Sequence, residues 1–324
     1  MSDVTATHGD EGESHAADDA RHPRRVVLIV NARSRRGQRR FDTALRLLGE
    51  RGFLITAAHA VTDPARLGDV AEAAAAERDH LVVVGGGDGT ISTVAGIVAA
   101  RGEAARPLLG LLPLGTANSF AKALGLPLEL DRAVDVLRDG VATNIDLGRL
   151  DERWFANAVA IGLAADIARG SAHGSAHLAK RWAGRATYLM VAAGRLARHR
   201  PFRCTVAHDG GTSVFDALDL RVANGGWQGG VLVAPDAGLA TGDLLVRVIP
   251  GPSPHRLLRT WWRALRGVPP APSDVVTLRT RSATIATDRP RPVSVDGEVV
   301  AATPVRVTVA PGALRILLPR ERHG

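Results

Sequence analysis

The chain has a single cysteine among 324 residues, Cys204, which rules out an intramolecular disulfide and any cysteine-based zinc cluster. Lysine is nearly as scarce. It occurs only at Lys122 and Lys180, and neither stands in the G-x-x-x-x-G-K-[ST] frame of a Walker A loop. No uninterrupted apolar run is long enough to read as a bilayer-spanning helix, and the polar, acidic start reads against a secretion signal. Aromatic residues make up 4%, too few to interleave with basic residues as nucleic-acid-binding surfaces require. A soluble cytoplasmic protein that does not act on nucleic acid is the expectation.

What is present is positive charge. The formal net charge is +8, yet Asp3, Asp10, Glu11, Glu13, Asp18 and Asp19 put six negative charges and no cation into the first twenty residues. The rest of the chain therefore carries +14, enough to attract polyanions: nucleic acid, nucleotide phosphates or an anionic membrane surface. Residues 1–22 hold few large apolar side chains and read as a disordered acidic tail.

From Val26 onward, short continuous apolar runs alternate with helical stretches. Val26–Val30, Leu54–Thr56, Leu81–Val84 and Leu108–Leu112 are the runs; helices are expected over Phe41–Glu50, Pro64–Arg78 and Thr90–Ala100. Continuous apolar strands separated by helices predict a mostly parallel sheet covered on both faces, an α/β domain over residues 23–143. Beyond it the period falls to two, in Phe202–Val206, Phe215–Val222, Leu244–Ile249, Val275–Leu278, Val305–Val309 and Leu314–Leu317. This predicts an antiparallel β-sandwich over residues 144–319, with helical insertions at His177–Arg198 and Pro254–Arg266 and a last strand free to return to the first domain. The fold class is α/β plus all-β.

The most informative stretch is Val84-Gly85-Gly86-Gly87-Asp88-Gly89-Thr90, an apolar strand running through glycines into a helix. Backbone without Cβ atoms approaches an anion closely, and the helix aims its positive end at the same point. The spacing is not G-x-G-x-x-G, so the dinucleotide fingerprint is absent. Such a turn alone serves equally as a tight structural turn. Asp88 adds chemistry, because an acid beside gathered anion donors calls for a bridging cation, Mg²⁺. A second loop, Pro113-Leu114-Gly115-Thr116-Ala117-Asn118-Ser119, ends another strand of the same sheet, on the edge where ligands of parallel sheets bind.

Together, Gly86-Gly87-Asp88-Gly89-Thr90 and Pro113-Leu114-Gly115-Thr116-Ala117-Asn118 resemble the catalytic domain of the soluble bacterial diacylglycerol kinase and lipid kinase family, related to sphingosine kinases. Asn31-Ala32-Arg33-Ser34-Arg35-Arg36-Gly37, Asp146-Leu147-Gly148, Asn224-Gly225-Gly226, Ala234-Pro235-Asp236 and Val295-Asp296-Gly297-Glu298 extend the resemblance from about Val26 to Leu318. It implies transfer of the γ-phosphate of ATP to a lipid hydroxyl, with diacylglycerol as the first acceptor and ATP and Mg²⁺ as cofactors. It also implies roles. Asn31, Thr62, Gly86, Gly87, Gly89, Thr90, Gly115, Thr116 and Asn118 would bind nucleotide, Asp88 would hold the metal, and Asp296 with Glu298 beside it would be the base. Taken without the other motifs, Asp-Gly-Glu is equally a hairpin turn. The implied partners are ATP and a lipid at the inner face of the membrane, with a homodimer left open.

Two departures stand out. The family commonly has Asp where this chain has Ser119, and Leu-x-Asp-Gly where this chain has Leu239-Ala240-Thr241-Gly242, with Asp243 one place later. They bear on the metal network and motivate a second reading, a nucleotide- or lipid-binding regulator. A NAD kinase, which shares the first glycine loop, is the remaining alternative. Over Pro254–Arg266, Leu257, Leu258, Trp261, Trp262 and Leu265 share one face and four arginines an adjacent one. That pattern fits an interfacial helix or one packed on the sandwich. His173 and His177 lack a third ligand and read as loop, and Cys204 reads as a buried small hydrophobe.

Overall fold

The computed structural model describes residues 24–163, 165–166 and 199–320. The acidic tail, His173, His177, Lys180 and the expected helix over 177–198 lie outside them. In the first half, β1 (Arg25–Asn31), β2 (Leu54–Val61), β3 (Leu81–Gly86) and β4 (Leu108–Pro113) pair in parallel in the order β4-β3-β1-β2. Residues Val26–Val30 and Leu81–Val84 are buried on both sides, as continuous apolar strands require. One face is covered by α1 (Arg35–Glu50) and α5 (Leu130–Asp139), through Ala44, Leu47, Leu48, Val134 and Leu137. The other is covered by α2 (Leu67–Ala76) and α3 (Asp88–Ala100), through Ala71, Ala75, Ile91, Val94 and Val98. A short helix, α4 (Ser119–Ala123), follows the second glycine loop and buries Phe120.

The second half is antiparallel. It comprises β5 (Val141–Leu150), β6 (Arg153–Phe155), β7 (Ala158–Gly162), β8 (Phe202–His208), β9 (Gly211–Ala223), β10 (Trp227–Gln228), β11 (Val231–Leu232) and β12 (Leu244–Pro250). Helix α6 (His255–Leu265) then precedes β13 (Val276–Thr280), β14 (Ser282–Thr287), β15 (Pro292–Val295), β16 (Glu298–Ala302) and β17 (Val305–Leu318). Its core gathers Phe155, Val159, Ile161, Phe202, Cys204, Leu220 and Val246.

The runs Val305–Val309 and Leu314–Leu317, expected as two strands, form one. β17 stays paired with β5 along its length and absorbs Pro311-Gly312 where the register shifts between Ala310 and Leu314. Its first half pairs with β14, and Ile316 pairs in parallel with Leu109 of β4, so one strand seams the two sheets together. The expected helix over Pro64–Arg78 begins as a single 3-10 turn, Pro64–Arg66, capped by Asp63. The first helix starts earlier than its apolar pattern, at Arg35, because the Ser34 hydroxyl accepts from Gly37 N–H at 3.1 Å and caps it.

Candidate active site

Three loops leave the same edge of the parallel sheet, each at the carboxyl end of a strand. They enclose a cleft of about 460 Å³. The first runs from Asn31 to Gly37. The Asn31 amide donates to Thr90 Oγ1 at 2.9 Å, tying the end of β1 to the start of α3. Gly37 lies so close to the end of β1 that a Cβ there would stand 2.9 Å from the Asn31 carbonyl oxygen.

The second loop is Gly86-Gly87, which leads into α3. A Cβ on Gly86 would stand 2.7 Å from Thr90 Cβ, so the strand-to-helix turn needs glycine there. The third is Leu114–Thr116. A Cβ on Gly115 would be 2.4 Å from Gly87 Cα, so the two glycine loops touch backbone to backbone. Asn118 holds this arrangement. It is buried with φ 49°, accepts from Gly115 N–H at 2.8 Å, and donates to the carbonyls of Pro113 (3.2 Å) and Gly115 (3.3 Å). Its side chain is committed to shaping the loop.

Arg36 and Arg40, one turn apart on α1, line the same cleft. Arg40 donates to the Leu114 carbonyl, and burial, with Arg36 nearby, holds its guanidinium below the ordinary arginine value. The cleft is thus walled by backbone at glycines and carries two cations, which is anion-site chemistry. Arg40 went unnoticed in the sequence; a pair of cations four apart on a helix opened by Ser34 was the available signal.

The structure does not bring every sequence candidate here. Thr62 is exposed beyond the end of β2, the outermost strand, and does not line the cleft. Gly89 is exposed in the first turn of α3, where an added Cβ would meet open space. Asp88 begins α3, and its Oδ1 accepts from Phe120 N–H at 2.9 Å, which caps α4 across the two loops.

Asp296 reaches this edge from the second domain. With Gly297 it forms the two-residue turn between β15 and β16, both at positive φ (46° and 98°), as a twisted hairpin requires. The motif is therefore a hairpin turn whose first residue carries the carboxylate. The turn is half-exposed, but the carboxylate is enclosed. Oδ1 accepts from Asn157 N–H and Ala158 N–H, each at 3.0 Å; Oδ2 accepts from Ala156 N–H at 3.0 Å and from the Ser92 hydroxyl at 2.6 Å. Burial pushes its carboxyl above the usual carboxylate range, while the Ser92 hydroxyl and the three amides pull the other way. Ser92 lies four residues after Asp88 on α3, so Asp296 docks about one helical turn, about 6 Å along the axis, from Asp88. Glu298 is exposed at the start of β16.

Ser119, at the departure from the family pattern, is buried, and its Oγ accepts from Gly230 N–H at 3.0 Å. Lys122 donates to the Gly230 carbonyl at 3.0 Å and sits 5.0 Å from the centroid of the Trp227 ring. The β10–β11 hairpin of the second domain is thereby latched on α4 of the first. Asp243, at the other departure, pairs with Arg279 at 2.8 Å. Asp146 accepts from the amides of Gly312 (2.8 Å) and Gly242 (2.7 Å).

Among the described residues, no group of three or more His, Cys, Asp or Glu could hold a metal by itself. The donor set still fits Mg²⁺, which is ordinarily bound through one or two carboxylates together with substrate phosphates and water. Asp88 Oδ2 has no hydrogen-bond partner among the described residues, at the edge where the glycine loops leave the sheet.

Residues 25–150 match the diacylglycerol kinase catalytic domain, and residues 157–318 match the YegS C-terminal NAD kinase beta sandwich-like domain. A diacylglycerol kinase of Mycobacterium tuberculosis is 31% identical over 267 residues, covering 78% of this chain and 80% of that protein. A Pseudomonas aeruginosa protein named "Probable lipid kinase YegS-like" is 33% identical over 252 residues, 77% of this chain and 80% of its own length. The crystal structure of a diacylglycerol kinase from Bacillus anthracis superposes with a TM-score of 0.74 at 20% identity, covering 92% of this chain and 98% of that one.

Proposed function

The chain belongs to the family of bacterial diacylglycerol kinases and YegS-like lipid kinases and is a lipid kinase, and from that premise we propose that it moves the γ-phosphate of ATP onto the hydroxyl of diacylglycerol. The observation that carries this reading is the meeting of two different chemistries at one edge. A glycine-walled cleft carrying Arg36 and Arg40 receives phosphates, and an enclosed carboxylate from the other domain lies a helical turn from Asp88.

In this reading the triphosphate lies against the backbone of Gly86, Gly87, Gly115 and Thr116, with Arg36 and Arg40 offsetting its charge. Phosphoryl transfer needs positioning and charge stabilisation more than covalent help from the protein, and this cleft supplies both. Asp88, with the phosphate oxygens of the nucleotide, would hold Mg²⁺, which supplies neutralisation of charge on those oxygens. The acceptor hydroxyl oxygen forms the new bond to the γ-phosphorus as the bond to the ADP oxygen breaks, and its proton passes to Asp296. All four acceptor positions of that carboxylate are taken, three by rigid backbone amides and one by the Ser92 hydroxyl, which can rotate. Ser92 is thus the group that yields its place to the substrate hydroxyl. The amides fix where the carboxylate points.

The test is transfer of labelled γ-phosphate from ATP with Mg²⁺ to diacylglycerol, phosphatidylglycerol, sphingosine and NAD, beside Asp296→Asn. Labelled phosphatidic acid, lost in the variant, is the expected result. Another labelled lipid refutes diacylglycerol as acceptor, and labelled NAD refutes the lipid reading.

A further inference from the structure

Helix α6 is apolar on more of its surface than the protein covers. At about 100° per residue, Leu257 and Trp261 share an inward face, where they close a small cluster with Leu163, Leu218, Ile249 and Val275. Leu258, Trp262 and Leu265 lie within about 60° of one another on the neighbouring face, and all three point outward. They are 48%, 54% and 68% exposed, and Val268, just past the helix end, is 39% exposed. Both patterns expected for this segment are therefore present on one helix, side by side.

The flank beyond the exposed stripe is cationic. Arg256, Arg259, Arg263 and Arg266 occupy it, and residues 250–273 contain no Asp or Glu. Arg259 is neutralised by buried Asp274. Arg256 and Arg263 donate to the carbonyls of Pro250 (3.1 Å) and Pro269 (2.7 Å), which fix them without cancelling their charge. Arg266 stacks 3.6 Å from the centroid of the Trp262 ring. An outward stripe of Leu, Trp and Leu beside a rim of fixed cations, with no acid on the helix, has the layout of a helix that lies in a bilayer interface.

We propose that α6, with Val268, is the surface by which this protein docks on an anionic lipid bilayer. The choice of occupant rests on charge complementarity: a protein partner with an apolar groove would match the stripe, but three uncompensated arginines along its rim select a negatively charged lipid surface. The position in the fold serves the reaction. The cluster beneath α6 includes Leu163, just past the end of β7, and the other end of β7 begins at Ala158, whose amide holds Asp296. The docking surface and the proposed base thus sit at opposite ends of a five-residue strand, about 16 Å apart along it. That use rests on the lipid-kinase reading above; the docking itself does not.

The experiment is co-sedimentation of the full chain with vesicles of phosphatidylcholine alone or with 3:7 phosphatidylglycerol, for wild type, Arg266→Gln and the pair Trp262→Gln/Leu265→Gln. Both variants change only exposed side chains. Binding to the anionic vesicles alone is expected, weakened about fivefold by Arg266→Gln, the equivalent of about 1 kcal/mol per cation at a charged surface, and more than tenfold by the pair. In parallel, transfer to a water-soluble short-chain diacylglycerol should be unchanged in the variants, while transfer to vesicle-borne long-chain diacylglycerol falls with binding. Wild type failing to bind anionic vesicles, or variants binding equally, overturns the proposal whether or not the kinase assay succeeds. So does wild type self-associating where the pair variant is monomeric, which would assign the stripe to a second copy. Hydrogen-exchange protection of residues 255–268 without vesicles, lost on deleting 170–195, would assign it to this chain's own segment and equally overturn it.

Discussion

Replacing Gly115 by Ala tests whether contact between the two glycine loops builds the phosphate cleft. The new Cβ would stand 2.4 Å from Gly87 Cα and 2.7 Å from Asn118 Oδ1, and ordinary contact begins near 3.4 Å. Neither obstacle is a flexible side-chain end, because Asn118 is held by three hydrogen bonds within its own loop. The loops must therefore part by about 1 Å. Overpacking of this kind costs about 1–3 kcal/mol, and the strained Gly115–Asn118 bond adds about 1 kcal/mol. Together these amount to about 2–4 kcal/mol, or a fall in Tm on the order of 3–6 °C for a chain of this length. Walls of the cleft displaced by about 1 Å should weaken ATP binding at least about tenfold and slow turnover about 100-fold. Calorimetric titration with ATP, thermal unfolding and the labelled-phosphate assay read these three quantities. Gly89→Ala is the control: its Cβ meets open space, and it should fold and bind ATP as wild type does. Gly115→Ala with unchanged Tm and unchanged ATP affinity would refute the claim that the touching loops shape the site.

Asp296→Asn should bind ATP with wild-type affinity yet lose more than about 100-fold in turnover, since an amide takes no proton. Because burial raises the Asp296 pKa, wild-type activity should rise with pH along an acid limb displaced above the ordinary carboxylate range. In the same window the folded state holds this proton more tightly than the unfolded chain. Wild-type stability therefore declines relative to Asp296→Asn as pH rises through the raised value, as denaturant midpoints across pH would reveal. Ser92→Ala should lower kcat and leave KM for ATP unchanged; an unaltered kcat would remove Ser92 from the acceptor side. Ser119→Ala strands the Gly230 amide and should cost about 1–2 kcal/mol in urea unfolding, with the hairpin's amides exchanging faster. The Cys204 thiol, pushed up to about 11 by burial, should react with a thiol reagent only once the chain unfolds.

The glycine loops that wall the cleft were legible because their signals are local. Buried parallel strands must be continuous apolar runs, and a turn that brings backbone to an anion must be glycine, so Val82–Gly87 and Leu111–Gly115 announce themselves. Strand ends were legible only up to strand order. Thr62 ends a strand as Asn31 does, but β2 turned out to be outermost, one strand beyond the cleft. The link between Ser92 and Asp296 spans 204 positions and leaves no local pattern, since a serine on a mostly apolar helix is unremarkable until a second domain docks on it. Pro311 misled for a physical reason: proline ordinarily ends a strand, and here a register shift tolerates it.

The seam strand β17 has a consequence for how the molecule comes into being. On a ribosome, residues 25–150 emerge long before residue 316, yet Leu109 of β4, paired with Val82 on one side, finds its second neighbour only when Ile316 arrives, across about two hundred residues of intervening chain. Until then the parallel sheet presents an unpaired edge at β4, and β5 lacks the neighbour it contacts from Val141 to Leu150. A strand synthesised after all the other described ones thus completes the first sheet, a high-contact-order step of the kind that folds slowly. An N-terminal fragment ending near residue 150 is a template with an open edge rather than a smaller kinase, and loss of the last dozen residues should disable the cleft from the far end of the sequence.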